Sequence, residues 1–247
     1  MTGELAGLAA VVTGSARNIG RAIALELAAA GAAVMVNART SAADAEAVAA
    51  EIRAAGGDAG VTLADVGDPD SAARLIADAV ARFGRLDMLV NNASVRREVD
   101  FADLDYAQWR EILGGTLDSA YLCSRAALPH LIASGRGSIV NIGGLSSHMG
   151  APRRAHVVAA KAGLGGLTRA LAHDLAPHKV TVNCVAPGLI DTARTGAEPG
   201  HHKSLATPVG RKGRPEEIAG VVRFLCGPGA RYITGQTIHA NGGLYMG

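Results

Sequence analysis

The stretch Val11-Val12-Thr13-Gly14-Ser15-Ala16-Arg17-Asn18-Ile19-Gly20 decides how the rest of the chain is read. An apolar strand, Leu8 to Val12, runs into a small turn that carries glycine. A helix follows from Ile19 to Ala30, with Ile23, Leu25 and Leu27 at its apolar positions. Such a turn lets backbone N–H groups approach a phosphate, and the N-terminus of the next helix adds positive dipole at the same spot. The spacing of Gly14 and Gly20 is not the common G-x-G-x-x-G, and Asn18 stands where a middle glycine is expected. Asparagine tolerates left-handed backbone better than most residues with a side chain, so the turn survives the exchange.

Outward from this stretch, strand and helix signals alternate to the end of the chain. Strands are expected at Ala33 to Val36, Val61 to Val66, Leu86 to Asn91, Ser138 to Ile142, Val180 to Val185 and Gln236 to Ala240. Helices are expected at Ala42 to Ala55, Asp68-Pro69 to Phe83, Tyr106 to Ala133, Arg154 to Ala176 and Pro215 to Cys226. Asp68 is placed to cap its helix, with Pro69 at the first helical position. Repeated β-α-β units of this length require parallel strands and right-handed crossovers. The fold class is therefore α/β: one doubly wound, Rossmann-type domain over residues 1–247, with a parallel sheet of about seven strands. The long irregular stretch from Gly188 to Arg214 reads as a lid over the substrate.

Composition sets the limits. Of 247 residues, 49% are hydrophobic, enough for a sizeable core. The net charge of +2 is too slight to imply nucleic acid or an anionic membrane. Cys123, Cys184 and Cys226 lie far apart, match no metal spacing, and argue for a reduced, cytoplasmic setting without a disulfide framework. The start lacks the features of a signal peptide, and no apolar run is long enough for a membrane span.

In an open parallel sheet, ligands bind beyond the carboxyl ends of the strands. After the second strand comes Asn37-Ala38-Arg39, with no acidic residue to hold a ribose or repel a 2′-phosphate. Arg39 and Arg17 are placed to clamp that phosphate, which favours NADP over NAD. After the third strand comes Asp65-Val66, after the fourth Asn91-Asn92-Ala93-Ser94, and after the sixth Pro187-Gly188-Leu189-Ile190-Asp191-Thr192.

With these residues, essentially the whole chain resembles the short-chain dehydrogenase/reductase family, and within it the 3-oxoacyl-[acyl-carrier-protein] reductases. Thr13-Gly14 to Ile19-Gly20 resembles the family's cofactor turn. Asp65-Val66 resembles its adenine contact, and Asn91-Asn92-Ala93 its Asn-Asn-Ala-Gly segment, with Ser94 replacing glycine. Pro187-Gly188 followed by Thr192 resembles the loop that holds the nicotinamide amide, and Gly235-Gln236 with Asn241-Gly242-Gly243 resembles the last strand and its exit. The resemblance implies a cofactor site of Gly14, Ser15, Arg17, Asn18, Ile19, Gly20, Arg39, Asp65, Val66, Asn92, Ala93, Lys161, Pro187, Gly188, Ile190 and Thr192. It also implies a homotetramer or homodimer built on the two long helices and the last strand. Ala162, Gly163, Gly165 and Gly166 give one of those helices a small-residue face.

The family's chemistry uses Tyr-x-x-x-Lys, a serine thirteen residues before the tyrosine, and an asparagine on the preceding long helix. Lys161 fits the lysine. Four residues earlier stands Val157, thirteen before that Gly144, and the asparagine position holds Thr116. Candidate substitutes for the missing proton donor are His156, about 100° around the helix from Val157, and His148 and Ser146 on the loop before that helix. The bland alternative has His156 facing solvent or capping a turn and His148 merely lining the pocket. Lys161 is expected to hold the ribose.

Arg96, Arg97, Arg153, Arg154 and, in the lid, His201, His202 and Lys203 give the site a basic mouth, which suits an anionic or strongly polar small-molecule substrate. Two functions stay open. One is an NADP-dependent oxidoreductase acting on a carbonyl or secondary alcohol with a non-standard proton relay, its substrate a 3-oxoacyl thioester or another anion. The other is a cofactor-binding protein without redox activity, acting as a regulator, a scaffold, a lyase or an isomerase.

Overall fold

A computed structural model describes residues 3–192 and 206–247. Seven strands form one sheet in the order β3-β2-β1-β4-β5-β6-β7, and every pairing is parallel. They are β1 (Ala9–Val12), β2 (Ala33–Ala38), β3 (Ala59–Leu63), β4 (Met88–Asn91), β5 (Ser138–Ile142), β6 (Thr181–Pro187) and β7 (Thr237–Ala240). Between them run α1 (Asn18–Ala29), α2 (Ala42–Ala54), α3 (Pro69–Phe83), α4 (Tyr106–Leu113), α5 (Ser119–Ala133), α6 (Ser146–Met149), α7 (Ala155–Leu175) and α8 (Pro215–Cys226).

The pleat sends alternate side chains to opposite faces, which explains why the strands read as continuous apolar runs. Val12, Val34, Val36, Val90 and Val140 join Ile23, Leu27, Ile52 and Val222 in a core under α1, α2 and α8. Val11, Met35, Leu89, Ile139 and Val182 join Leu75, Ile76, Leu131 and Leu175 in a second core under α3, α5 and α7. Both layers are buried, so polar groups inside them need partners. Asp87 accepts from the Ala9 amide at 2.9 Å and takes both prongs of Arg85 at 2.8 and 2.7 Å. Asn91 donates to Asn141 at 2.8 Å, and Asn141 donates to Thr168 on α7 at 2.9 Å, tying β4, β5 and that helix together.

Local chemistry sets the helix ends. Asp68 accepts from the Ser71 amide at 2.9 Å, Pro69 opens α3, and Gly84 closes it in left-handed backbone. The Asp68 carboxyl is held below its usual range mainly by that Ser71 amide.

Several boundaries differ from the sequence expectation. β3 runs Ala59–Leu63 rather than Val61 to Val66, because β2 extends to Ala38 and pairs it with Leu63. Asp65 and Val66 therefore lie in the turn beyond the sheet, where the Asp65 carboxylate accepts from the Gly67 amide at 3.0 Å. The expected helix from Tyr106 to Ala133 is interrupted by a π-helical turn, Gly114–Asp118. The short helix α6 was not legible in the sequence. Of the expected lid, the flanks are tied together by a bridge between Ile190 and Gly213. His201, His202 and Lys203 lie outside the described residues.

Candidate active site

The strand order reverses between β1 and β4, and the carboxyl ends there open into a trough of about 890 Å³. The first turn forms its floor. Gly14 takes φ +60° and Asn18 φ +52°, so the asparagine does occupy left-handed backbone. A side chain at Gly14 would press on the Ala93 Cα at 3.0 Å, and one at Gly20 would meet the Gly14 carbonyl at 2.4 Å. The turn is braced from both sides. Asn37 Oδ1 accepts from the Gly14 amide at 3.0 Å, and Asn92 Nδ2 donates to the carbonyls of Thr13 and Gly14 at 2.9 and 3.0 Å. Thr13 Oγ1 accepts from the amides of Asn92 and Ala93 at 2.9 and 3.0 Å.

Ten more of the expected cofactor residues line this trough with Gly14: Arg17, Asn18, Ile19, Gly20, Arg39, Asp65, Val66, Asn92, Ala93 and Thr192. Ser15 does not. It is fully buried, donating to the Val12 carbonyl at 2.7 Å and accepting from the Asn37 amide at 3.0 Å, so it locks β1 to β2 instead of facing a ligand. Asn37, Thr40 and Ser41 also line the trough and were not singled out. Their position at the end of β2 was the available signal. Arg39 stands 3.9 Å from Asp65, and Arg17 stands 3.9 Å from Asp44. Both pairs are exposed, and exposed pairs at that distance hold little energy.

A second cavity of about 300 Å³ adjoins the trough, beyond β5 and β6. Its wall includes Ser146, Lys161, Pro187, Gly188, Ile190 and Thr192, and also Gly144 and Val157. Lys161 Nζ is buried and donates to the Ile142 carbonyl at 2.6 Å. Burial, then the neighbouring Arg96, pushes its pKa down to about 7. Val157 is buried in the wall, and a Cβ on Gly144 would meet nothing within 4 Å. Thr116 lies in the π-helical turn, 3.4 Å from the Ser94 hydroxyl.

The two histidine candidates do not line either space. His156 is completely buried, and neither ring nitrogen has a hydrogen-bond partner. Burial, then Arg154, lowers its pKa and keeps it neutral. The expectation that it faces solvent or caps a turn is therefore corrected. His148 packs edge-on against His239, ring centres 4.5 Å apart, and beside Tyr245 at 5.3 Å. Burial, then His239, lowers its pKa too. Its expected place in the pocket lining is corrected: it supports the C-terminal segment behind α6.

The basic mouth divides by residue. Arg96 and Arg154 line both the cavity and the trough. Arg97 lines the trough but not the cavity, and pairs with Glu111 at 2.9 Å; Arg153 lines neither and pairs with Asp100 at 3.3 Å.

A left-handed glycine turn at the switch point of a parallel sheet, beside a second cavity that carries a buried lysine, is the arrangement of a doubly wound, Rossmann-type fold. The comparisons with known proteins narrow it. A family profile described as enoyl-(acyl carrier protein) reductase matches residues 14–245. The 3-oxoacyl-[acyl-carrier-protein] reductase FabG of Staphylococcus aureus is 41% identical over 240 residues, 96% of this chain and 98% of that protein. The 3-oxoacyl-[acyl-carrier-protein] reductase of Synechocystis is 42% identical over 241 residues, 96% of each. Among solved structures, a short-chain dehydrogenase from Burkholderia cenocepacia in complex with NADP superposes with a TM-score of 0.92 at 36% identity, covering 98% of this chain and 99% of that one. The chain belongs to the short-chain dehydrogenase/reductase family. Among the described residues no helix is long and apolar enough to cross a membrane.

Proposed function

We propose that this protein is an NADP-dependent oxidoreductase that reduces a carbonyl, or oxidises the corresponding secondary alcohol, with Lys161 carrying the proton. The trough fits a dinucleotide: its floor is glycine where a Cβ would collide, and its rim beside β2 carries Arg17 and Arg39. Asn37, the last polar residue of β2, stands in the trough where an acid would oppose a 2′-phosphate. The solved relative in complex with NADP agrees with this choice. The bound cofactor supplies the hydride.

The chain's own residues supply position and the proton. The single observation behind the proton assignment is the place of Lys161: it is buried on the cavity wall with Nζ on the Ile142 carbonyl, and burial, then Arg96, pushes its pKa down to about 7. Such a group is matched to general acid–base work at pH 7. Protonated, Nζ gives its proton to the substrate oxygen; in the reverse direction it takes that proton back. Ser146 and Thr192, on the same wall, are hydroxyl donors that orient the substrate. Val157 and Gly144 contribute shape only.

The pH dependence follows from the sign of the shift. The acid form of Lys161 is present below about pH 7 and lost above it. Initial rates of NADPH oxidation with a panel of ketones and 3-oxoacyl thioesters are expected to give a kcat/KM that falls above that pH, and Lys161→Met is expected to remove the inflection. A flat profile in the wild-type protein sinks the assignment.

A second reading has support of its own: neither Val157 nor Gly144 carries a hydroxyl, so the protein holds the cofactor without redox turnover. Tight NADPH binding with no oxidation by any substrate of the panel would favour it. For assembly, a homodimer or homotetramer is proposed, supported by exposed Tyr106 on α4 and Tyr121 on α5, and by the half-exposed edge strand β7.

A further inference from the structure

We infer that the loop after β4 is an acid-released wall of the trough, with His156 beneath it as the group that takes up the proton. Residues 92–98 of this loop line the trough along one side. Beyond them the chain is fastened by three contacts. The Val99 amide donates to the Arg153 carbonyl at 2.9 Å, just before α7. Arg153 stands 3.3 Å from Asp100, and Arg97 donates to Glu111 on α4 at 2.9 Å. Both ion pairs are exposed, so they add little to the fastening.

The structure is strained where the loop is fastened. Arg153 takes φ +60°, left-handed backbone that is unfavourable for a residue with a Cβ and survives only where its surroundings impose it. Three residues on, in the first turn of α7, His156 is completely buried and neither ring nitrogen has a partner. A neutral imidazole has one donor and one acceptor, and burying both unbonded is costly. Side chains in a helix lean toward its N-terminus, so the ring points back toward the fastening. The two unfavourable features meet at one junction. Lifting the loop relieves both: Arg153 is released from its backbone conformation, and water reaches the imidazole.

A proton on His156 adds to this imbalance. The charges acting on the ring are Arg154, just before α7, and Arg97, in the loop. The acids on the neighbouring elements face other groups: Glu111 of α4 holds Arg97, Asp118 of the π-helical turn holds Arg110, and Asp100 of the loop holds Arg153, while Glu98 stands in the trough lining. From α6, His148 turns to His239. With the loop closed, burial, then Arg154, then Arg97, keeps the His156 pKa below its ordinary value. With the loop open the ring is in water and titrates at about 6.5. The sign follows: the proton binds the open form better, so the closed form is favoured above about pH 6.5 and weakens as the pH falls below it.

The test is hydrogen exchange of the cofactor-free protein, read at the Val99 amide from about pH 8 to about 5.5 and corrected for the intrinsic pH dependence of exchange. Protection is expected to hold level above about pH 7.5 and to fall about fivefold between about pH 6.5 and 5.5, as release through one group of ordinary histidine pKa requires. The amides of β1, in the middle of the sheet, are expected to keep theirs. His156→Leu fills the buried position without a polar atom, and is expected to raise Val99 protection at about pH 7 and to abolish the fall. A level profile in the wild-type protein overturns the inference, whether or not the variant folds. So does an equal fall in β1, which would be a loosening of the whole molecule, and so does an unchanged fall in His156→Leu. The readout needs neither cofactor nor turnover, so the redox proposal stands or falls apart from it.

Discussion

Val157 and Gly144 show how little of an active site needs to change for its chemistry to be in question. Both stand on the wall of the cavity, at the positions that the sequence reading set against the family's tyrosine and serine. A serine at Gly144 has open space in front of it, and the ring of a tyrosine at Val157 has the cavity to occupy. The double substitution Gly144→Ser, Val157→Tyr is therefore expected to fold and to raise kcat for carbonyl reduction by about 10²-fold or more, the usual worth of a positioned acid. Stopped-flow or steady-state NADPH oxidation checks it, and an unchanged rate with intact cofactor binding would count against the proposed chemistry. The sequence put Val157 and Gly144 four and seventeen residues before Lys161, because motif spacing is local. It did not say that His156 is fully buried: a helical offset of 100° from Val157 gives a direction, and only the packing decides what lies there. The same holds for the arginine pairs. Arg96 enters the cavity while Arg97 turns to Glu111, and Arg154 enters it while Arg153 turns to Asp100. Neighbours on a loop have no fixed periodicity from which to read this.

At the scale of elements, the turn from β1 into α1 is the part most sensitive to volume. Gly20 is held between the Gly14 carbonyl and Asn92 Nδ2, and an added Cβ would come within 2.4 and 2.5 Å of them. Gly20→Ala is expected to push the helix start away from the turn, costing about 1–3 kcal/mol of stability. NADPH affinity is expected to fall by about tenfold or more, since the phosphate site is made of that geometry. Fluorescence titration and a melting curve separate the two effects; wild-type affinity in the variant would show that the cofactor does not use this turn. The long helix teaches a different lesson. Its apolar pattern runs from Tyr106 to Ala133 without interruption, yet a π-helical turn at Gly114–Asp118 shifts its phase. That turn places buried Thr116 against Ser94 beside the nucleotide trough. π turns gather at functional sites, and no composition rule distinguishes them from ordinary helix.

The whole molecule is one parallel sheet covered on both faces, with the site at the reversal of strand order. Its sides remain available for assembly. Tyr106 on α4 and Tyr121 on α5 stand 76% and 53% exposed, and tyrosine is enriched at protein interfaces relative to the rest of the surface. Light scattering is expected to give two or four times the mass of one chain, and Tyr121→Arg to shift it toward the single chain. A wild-type protein that runs as a monomer at micromolar concentration would refute the proposed assembly.

The sequence by itself determined the order of strands and helices, the parallel sheet and most of the residues that meet in the trough at the carboxyl ends of the strands. Those features follow from apolar periodicity, turn chemistry and motif spacing, which act over a few residues at a time. Only the tertiary structure decided that Ser15 faces inward, that His148 and His156 stand off the cavity, and that Arg96, Arg154 and Lys161 come together on its wall. Burial and charge crowding are sums over segments distant in the chain, so no single stretch contains them.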